Sequence, residues 1–386
     1  MAIKIKRILL IILLFVFSFS LKANDEIKFS IITIGPYESE LYSAFGHSGI
    51  RYTDKKNNID HFYNYGIFDF NQPNFYINFL NGKLLYMVGK YNYKTAEQFY
   101  INQGRYVKEQ VLILSESEKI LLYNYLEQNI RPENRTYFYN YVYNNCATKI
   151  RDVLSIVYGE NLEFISEPEN KSFRELMDLY LKNNKWGNLG IDICLGPEID
   201  SNVSFDEEMF LPEYLFKGIE NAVKDGNKNI VSKTNIINLQ KEDFQSYSLN
   251  PHYIFLIFFI ISIYLSFRQV KYGIKYFIFD SIHLMISGII GCLLVYLWFF
   301  TDHLSSYNFN IVWAMPFNIV ISILILVNPN SSLVKWYMFL YSVLLFSLII
   351  LWNWIPQNLN EILLFFILGI ILRLSVNFIS FSKIRL

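Results

Sequence analysis

Cys146, in "YVYNNCATKIRD", stands at the head of a run in which Ile150, Val153, Leu154 and Val157 recur at helical spacing and which Gly159 closes. A thiol at a helix N-terminus faces unpaired backbone N–H groups and the positive end of the helix dipole, both of which favour the thiolate. The position therefore suits a nucleophile with a depressed pKa. Two other readings fit it as well: a small buried hydrophobe, or one half of a disulfide with Cys194. Cys292 falls inside a long apolar run, out of reach. A nucleophilic thiol needs a base, and before residue 250 the chain offers only His47, in "AFGHSGIRY", and His61, in "HFYNYGIFDF". His47 has Gly46 in front and Gly49 behind, so backbone or substrate can come close there. No Cys and His spacing suits a metal site, and no motif asks for a cofactor.

The elements that must position these residues read as strands first and helices after. "IKFSIITIG" is an apolar strand, and residues 47–70 form a hairpin turning at "DKKNN". A short helix and a strand follow, with Gly82 and Gly89 as breaks. Residues 96–107 and 115–130 have helical character, the second opening on Ser115 with Glu118 three positions on. An α+β domain is expected. "MFLPEYL", residues 209–215, reads as a core segment.

The chain of 386 residues is 53% hydrophobic and 18% aromatic, with 34 basic and 34 acidic side chains. That is too apolar for one soluble domain and too charged for a pure membrane bundle, so two unlike parts are expected. Zero net charge, no basic stripe and no phosphate-cradling glycine loop exclude a nucleic-acid partner. Residues 1–23 carry Lys4, Lys6 and Arg7, then the apolar run Ile8 to Phe19, and read as an export signal. Apolar stretches at 252–267, 277–300, 313–327, 336–354 and 362–378 predict about five membrane helices. Arg268, Lys271, Lys275, Lys335, Lys383 and Arg385 mark the connections on one side, and "TDHLSSYNFN" and "IPQNLNE" have neither Lys nor Arg. The positive-inside rule puts the basic connections in the cytoplasm and residues 24–250 outside, in the periplasm of a cytoplasmic (inner) membrane protein. The expected organisation is a signal peptide at 1–23, a periplasmic domain at 24–220, a polar linker at 221–251 and a membrane domain at 252–386.

The blocks "GPYESELYSAFGHSGIRY", "FYNYGIFDF", "PNFYINFLNGKLLYMV", "YNNCATKIRD" and "MFLPEYL" resemble, in order, those of the Bacteroides-type lipoprotein N-acyltransferase (Lnb) family, and "FFTDHLSSYNFNIVWAMP" is similar to its membrane signature. The likeness runs from about residue 28 to residue 325, with departures at Tyr37 and Ala314. More distantly, a histidine on an early strand followed by Asn-Cys at a helix start looks like the circularly permuted papain-like thiol enzymes, of NlpC and lecithin:retinol acyltransferase type.

The resemblance implies transfer of an acyl chain from a phospholipid, through a thioester on Cys146, to the α-amine of a diacylated lipoprotein's N-terminal cysteine. It makes His47 the base, Asn64 the group that orients it, and the backbone N–H groups of Cys146 and Asn145 the oxyanion donors. His61 is the alternative third group, and strand parity puts Asn64 and His61 on opposite faces, so only one can serve. Asp302, His303, Asn308 and Asn310, in the outer loop without Lys or Arg, are candidates for recognising headgroup or amine. Asp280 and His283 read as interhelical polar residues. An envelope cysteine peptidase or amidase, and a non-enzymatic scaffold held by a Cys146–Cys194 bridge, remain open beside this reading.

Overall fold

The computed structural model describes residues 27–37, 40–165, 167–239 and 249–382. The expected signal segment and the terminal Lys383 and Arg385 lie outside these.

Residues 27–67 form three antiparallel strands, β1 (Ile27–Ile34), buried almost throughout as its apolar run predicts, β2 (His47–Asp54) and β3 (Ile59–Ile67). Then come helix α1 (Phe75–Leu80), β4 (Leu85–Asn92), α2 (Tyr93–Asn102), β5 (Val107–Leu112), α3 (Glu116–Asn129), β6 (Thr136–Phe138) and α4 (Cys146–Tyr158). Ser115 caps α3 with Glu118 in a reciprocal pair, as its spacing predicts. The helix expected at 96–107 instead starts at Tyr93 and stops at Asn102, because residues 107–112 add a strand beside β1. After β7 (Leu162–Glu163) the chain forms α5 (Phe173–Tyr180), α6 (Lys185–Cys194), α7 (Phe205–Glu208) and α8 (Pro212–Asn221). "MFLPEYL" is core, with Met209 and Leu215 fully buried.

The expected linker is largely folded. β8 (Val223–Lys224) and β9 (Lys228–Asn229) complete a small sheet with β7, and β10 (Val231–Asn238) pairs with β5 at the edge of the main sheet. Its Lys and Asn content reflects a half-solvated edge strand, where polar side chains are favoured. The main sheet runs β10-β5-β1-β2-β3-β4-β6, antiparallel throughout. Ile150, Val153 and Leu154 of α4 pack on one face with Ile31, Ile50 and Tyr63, while Tyr93 and Tyr100 of α2 cover Phe62 on the other.

The apolar third forms α9 (Pro251–Tyr272), α10 (Phe277–Phe300), α11 (Asn318–Val327), α12 (Ser332–Ile350) and α13 (Leu363–Ser382). Five helices are present here, but among the described residues only four are long and apolar enough to cross a membrane. The third, α11, has 10 residues, about 15 Å against roughly 30 Å of hydrocarbon. The segment nevertheless tracks α10: Tyr307 packs on Trp298, and Ser322 O accepts from Ser281 Oγ at 2.7 Å. Its outer half is an irregular turn around Pro316, buried against α10 so closely that a Cβ at Gly291 would sit 1.8 Å from Ala314 O. Irregular backbone at membrane depth requires protein partners. Here Tyr341 donates to Trp313 O at 2.5 Å, and Asn318 Nδ2 donates to Ser287 and Tyr341 at 2.9 and 3.0 Å. Asp280 is fully buried, accepting from Arg373 Nε at 2.7 Å and Asn377 at 2.7 Å, which ties α10 to α13.

The outer loops hold the first domain in place. The last carbonyls of α6 have no helical partner. Asn310 Nδ2 donates to Asp192 O at 2.9 Å, Asn308 Nδ2 to Ile193 O at 2.8 Å, and Gln357 Nε2 to Leu195 O at 2.9 Å. At the end of α1, Tyr296 donates to Asn81 Oδ1 at 2.6 Å and the Asp302 N–H to Asn81 O at 3.0 Å.

Asn310→Leu leaves the buried Asp192 carbonyl of α6 and the Trp313 indole N–H unpaired, at about 1–3 kcal/mol for each group. Hydrogen exchange in a nanodisc should show faster exchange in both α6 and residues 308–314, with the sheet unchanged.

Candidate active site

Asn145 sets where α4 begins. Its Oδ1 accepts from the N–H groups of Ala147 and Thr148 at 2.9 and 3.0 Å, and Thr148 Oγ1 accepts the Asn145 N–H at 2.8 Å. Asn145 Nδ2 donates to Tyr141 O and Phe210 O, each at 2.9 Å. Every polar group of Asn145 that was a candidate oxyanion donor is therefore committed to the cap. Cys146, the first residue of the helix, is 7% exposed and unbridged, as is Cys194.

The nearby backbone N–H groups of Ser48, Ala147 and Cys146 pull the thiol's pKa down, as does the charge of Arg105. Burial outweighs them and leaves the thiol above its ordinary value. This reverses the depressed pKa expected from the helix dipole, because loss of hydration penalises the anion more than the helix end favours it.

His47, first residue of β2, is the nearby base. Its Nε2 lies 2.6 Å from Asn64 Oδ1. An amide oxygen only accepts, so Nε2 carries the proton and Nδ1 keeps its lone pair. Asn64 also lies close enough to the Tyr100 hydroxyl to lower its pKa. Burial and the neighbouring Arg105 charge lower the His47 pKa to about 4, against the raising effect of the Asn64 bond. Resting thiol and imidazole are both neutral near pH 7. His61 faces the other side of β3, near Glu127, and takes no part.

The register of β3 makes the site. Its pairing with β4 shifts between Asn64 and Ile67, and Gly66 occupies the bulge with φ +90°. A methyl group on Gly66 would lie 3.7 Å from Cys146 Cβ, 3.9 Å from His47 Cε1 and 3.9 Å from the Tyr139 ring. Pairing of β2 with β3 begins only at Gly49, which leaves the Ser48 N–H free for the thiol. Nothing in the sequence pattern around Ser48 marks this role, whereas Gly66 after "NY" is a visible bulge signal.

From Tyr139 an aromatic row leads outward. Tyr139 stacks on Tyr86 at 4.1 Å between ring centres, Tyr86 meets Phe68 at 5.1 Å, and Phe68 meets Phe75 of α1 at 6.0 Å. The row ends at Tyr76, 80% exposed. Because α1 is bonded to the end of α10 and the loop after it, the row runs from the thiol to the outer face of the bundle.

The four loop candidates divide. Asn308 and Asn310 are buried and their amides are used on α6. Asp302 is exposed beside Lys83 at 3.8 Å, and His303 Nε2 lies 3.0 Å from Phe79 O. Both brace α1 near the mouth of the aromatic row. Among the described residues no group of His, Cys, Asp and Glu side chains is placed to hold a metal.

Residues 20–178 match the family model of the Lnb N-terminal periplasmic domain, and residues 241–384 match that of the Lnb transmembrane domain. No curated protein and no solved structure matches the chain.

Since His47 is neutral above about pH 4, the base is lost only as pH falls through that value. The acid limb of kcat/KM should lie near pH 4 rather than near the free-histidine value of about 6.5, and Asn64→Ala, which removes the bond that raises this pKa, should move it lower still. Gly66→Ala puts a side chain on a left-handed backbone and a methyl in contact with both Cys146 and His47; activity should fall by ~100-fold. Retained activity would show that the pair does not work across this gap.

Proposed function

Because the chain belongs to the Lnb family through both its periplasmic and its transmembrane domain, we propose that it is an inner-membrane lipoprotein N-acyltransferase. The acyl donor is a phospholipid and the acceptor is the α-amine of a diacylglyceryl-cysteine. The supporting observation is that the Cys146, His47 and Asn64 constellation lies at one end of an aromatic row whose other end is at the outer membrane face.

His47 Nδ1 takes the thiol proton as the sulfur adds to the ester carbonyl of the donor. The backbone N–H groups of Ser48 and Cys146, already aimed at the sulfur, are the donors nearest the developing oxyanion. The ester C–O bond breaks, and the imidazolium proton passes to the departing lysophospholipid oxygen. The acceptor amine then adds to the thioester and gives a proton to His47; the C–S bond breaks, and the imidazolium proton passes to the leaving sulfur to return the thiol and neutral His47. Lysophospholipid and N-acylated lipoprotein are the two products. A raised thiol pKa suits this sequence, because a neutral resting pair stays unreactive until substrate displaces water and His47 acts.

Mass spectrometry of a reporter lipoprotein's N-terminal peptide tests the reading in cells lacking this protein and complemented with the parent, Cys146→Ser or Cys194→Ser. The N-acyl mass should return with the parent and Cys194→Ser and stay absent with Cys146→Ser. A parent that leaves the peptide unchanged but alters muropeptides would replace this reading with an amidase.

A further inference from the structure

Arg105 departs from a rule the other buried arginines keep. Arg174 pairs with Asp192 and Asp200, Arg373 with Asp280, and the half-buried Arg51 with Asp60 and Glu109. Arg105 is 4% exposed, and among the described residues no carboxylate lies within ion-pair distance of it. Its Nε donates to Gly35 O at 2.6 Å and its Nη1 reaches Gln103 Oε1 at 3.3 Å. Nη2 is buried with no partner. An uncompensated cation inside a protein is costly, and an orphaned donor of this kind marks a group awaiting a ligand.

Its place is beside the reaction. The guanidinium carbon lies 5.1 Å from the centre of the Tyr100 ring, which is 6.2 Å from that of His47. Its charge is felt by both His47 and Cys146. It does not act by bonding the sulfur, whose hydrogen bonds come from the backbone. Resting on the N-acyltransferase reading, we infer that Arg105 is the binding residue for the phosphodiester of the acyl donor.

Nη2 keeps its N–H groups without a partner among the described residues, and a guanidinium nitrogen donates strongly to phosphate oxygens. In a glycerophospholipid the ester carbonyl and the phosphate are held together by the short glycerol backbone, so a carbonyl at Cys146 brings the phosphate into this neighbourhood. The two ends of the ligand then meet different surroundings: the acyl chain lies along the row that starts at Tyr139, and the anionic head meets Arg105 next to Tyr100. The buried charge is compensated only when donor is bound, which makes phosphate part of what the site selects.

Acylation of Cys146 should be followed by intact-protein mass in the full-length protein, with phosphatidylethanolamine or p-nitrophenyl palmitate as donor, for the parent, Arg105→Gln and Arg105→Lys. Arg105→Gln should raise KM for phosphatidylethanolamine at least tenfold, and the loss of kcat/KM should be at least tenfold greater with phosphatidylethanolamine than with the neutral ester, with partial recovery in Arg105→Lys. Lysophosphatidylethanolamine should protect Cys146 from alkylation in the parent and not in Arg105→Gln. Equal losses with both donors would overturn the inference and assign Arg105 to the thiol chemistry or to folding, with the acyltransferase reading intact. Protection by inorganic phosphate as strong as by the lysolipid would overturn it in favour of a free-anion site. No acyl-Cys146 from either donor in the parent would overturn both.

Discussion

The catalytic arrangement depends on one amide side chain. Asn145 uses its oxygen to cap α4 and its nitrogen to hold the carbonyls of Tyr141 and Phe210, so a single residue joins the loop before the helix, the helix itself and the segment before α8. These contacts fix which residue becomes the first of the helix, and therefore that Cys146, rather than a neighbour, presents its side chain to β2. An N-cap replacement by alanine costs about 1 kcal/mol in stability, a modest sum. Its geometric consequence is larger, because a helix that starts one residue later rotates its first side chain by about 100°.

Around that fixed sulfur, burial and hydrogen bonding pull in opposite directions. Three backbone N–H groups and a nearby guanidinium favour the thiolate, and desolvation still wins. The same loss of water drives His47 the other way, to a pKa of about 4. The two shifts together disfavour a thiolate–imidazolium ion pair. They leave backbone N–H groups beside the buried sulfur, and preorganised dipoles of this kind act on a negative charge without reorganising.

Much of this was legible in the sequence. The helical period after Cys146, the Ser115 capping pair, the hairpin and the core character of "MFLPEYL" are local patterns, and local patterns survive into the structure. What was not legible depends on distant partners. The 221–248 stretch looks like a linker because edge strands tolerate Lys and Asn; only pairing with β5 makes it a strand. Asn145, Asn308 and Asn310 are polar residues in plausible positions for substrate, and their hydrogen bonds go instead to backbone carbonyls of segments that the sequence does not mark as neighbours. The orphaned guanidinium of Arg105 follows from which carboxylates do not reach it, something no motif encodes.

The short third helix of the membrane part and the seating of the thiol domain share one cause. A straight helix from Trp313 to Val327 would satisfy its own backbone and leave Asn308, Asn310 and Trp313 no reason to turn inward. The break near Pro316 exposes carbonyls at membrane depth, and Tyr341 answers one of them from α12. On the other side of the break, Asn310 accepts from the Trp313 indole at 2.8 Å and sends its own amide to the end of α6. The residues that close an irregular membrane crossing thus also close an incomplete helix end of the periplasmic domain. Each part supplies hydrogen-bond partners that the other lacks, so the distance between Cys146 and the lipid surface is set by matching polar groups rather than by a tether.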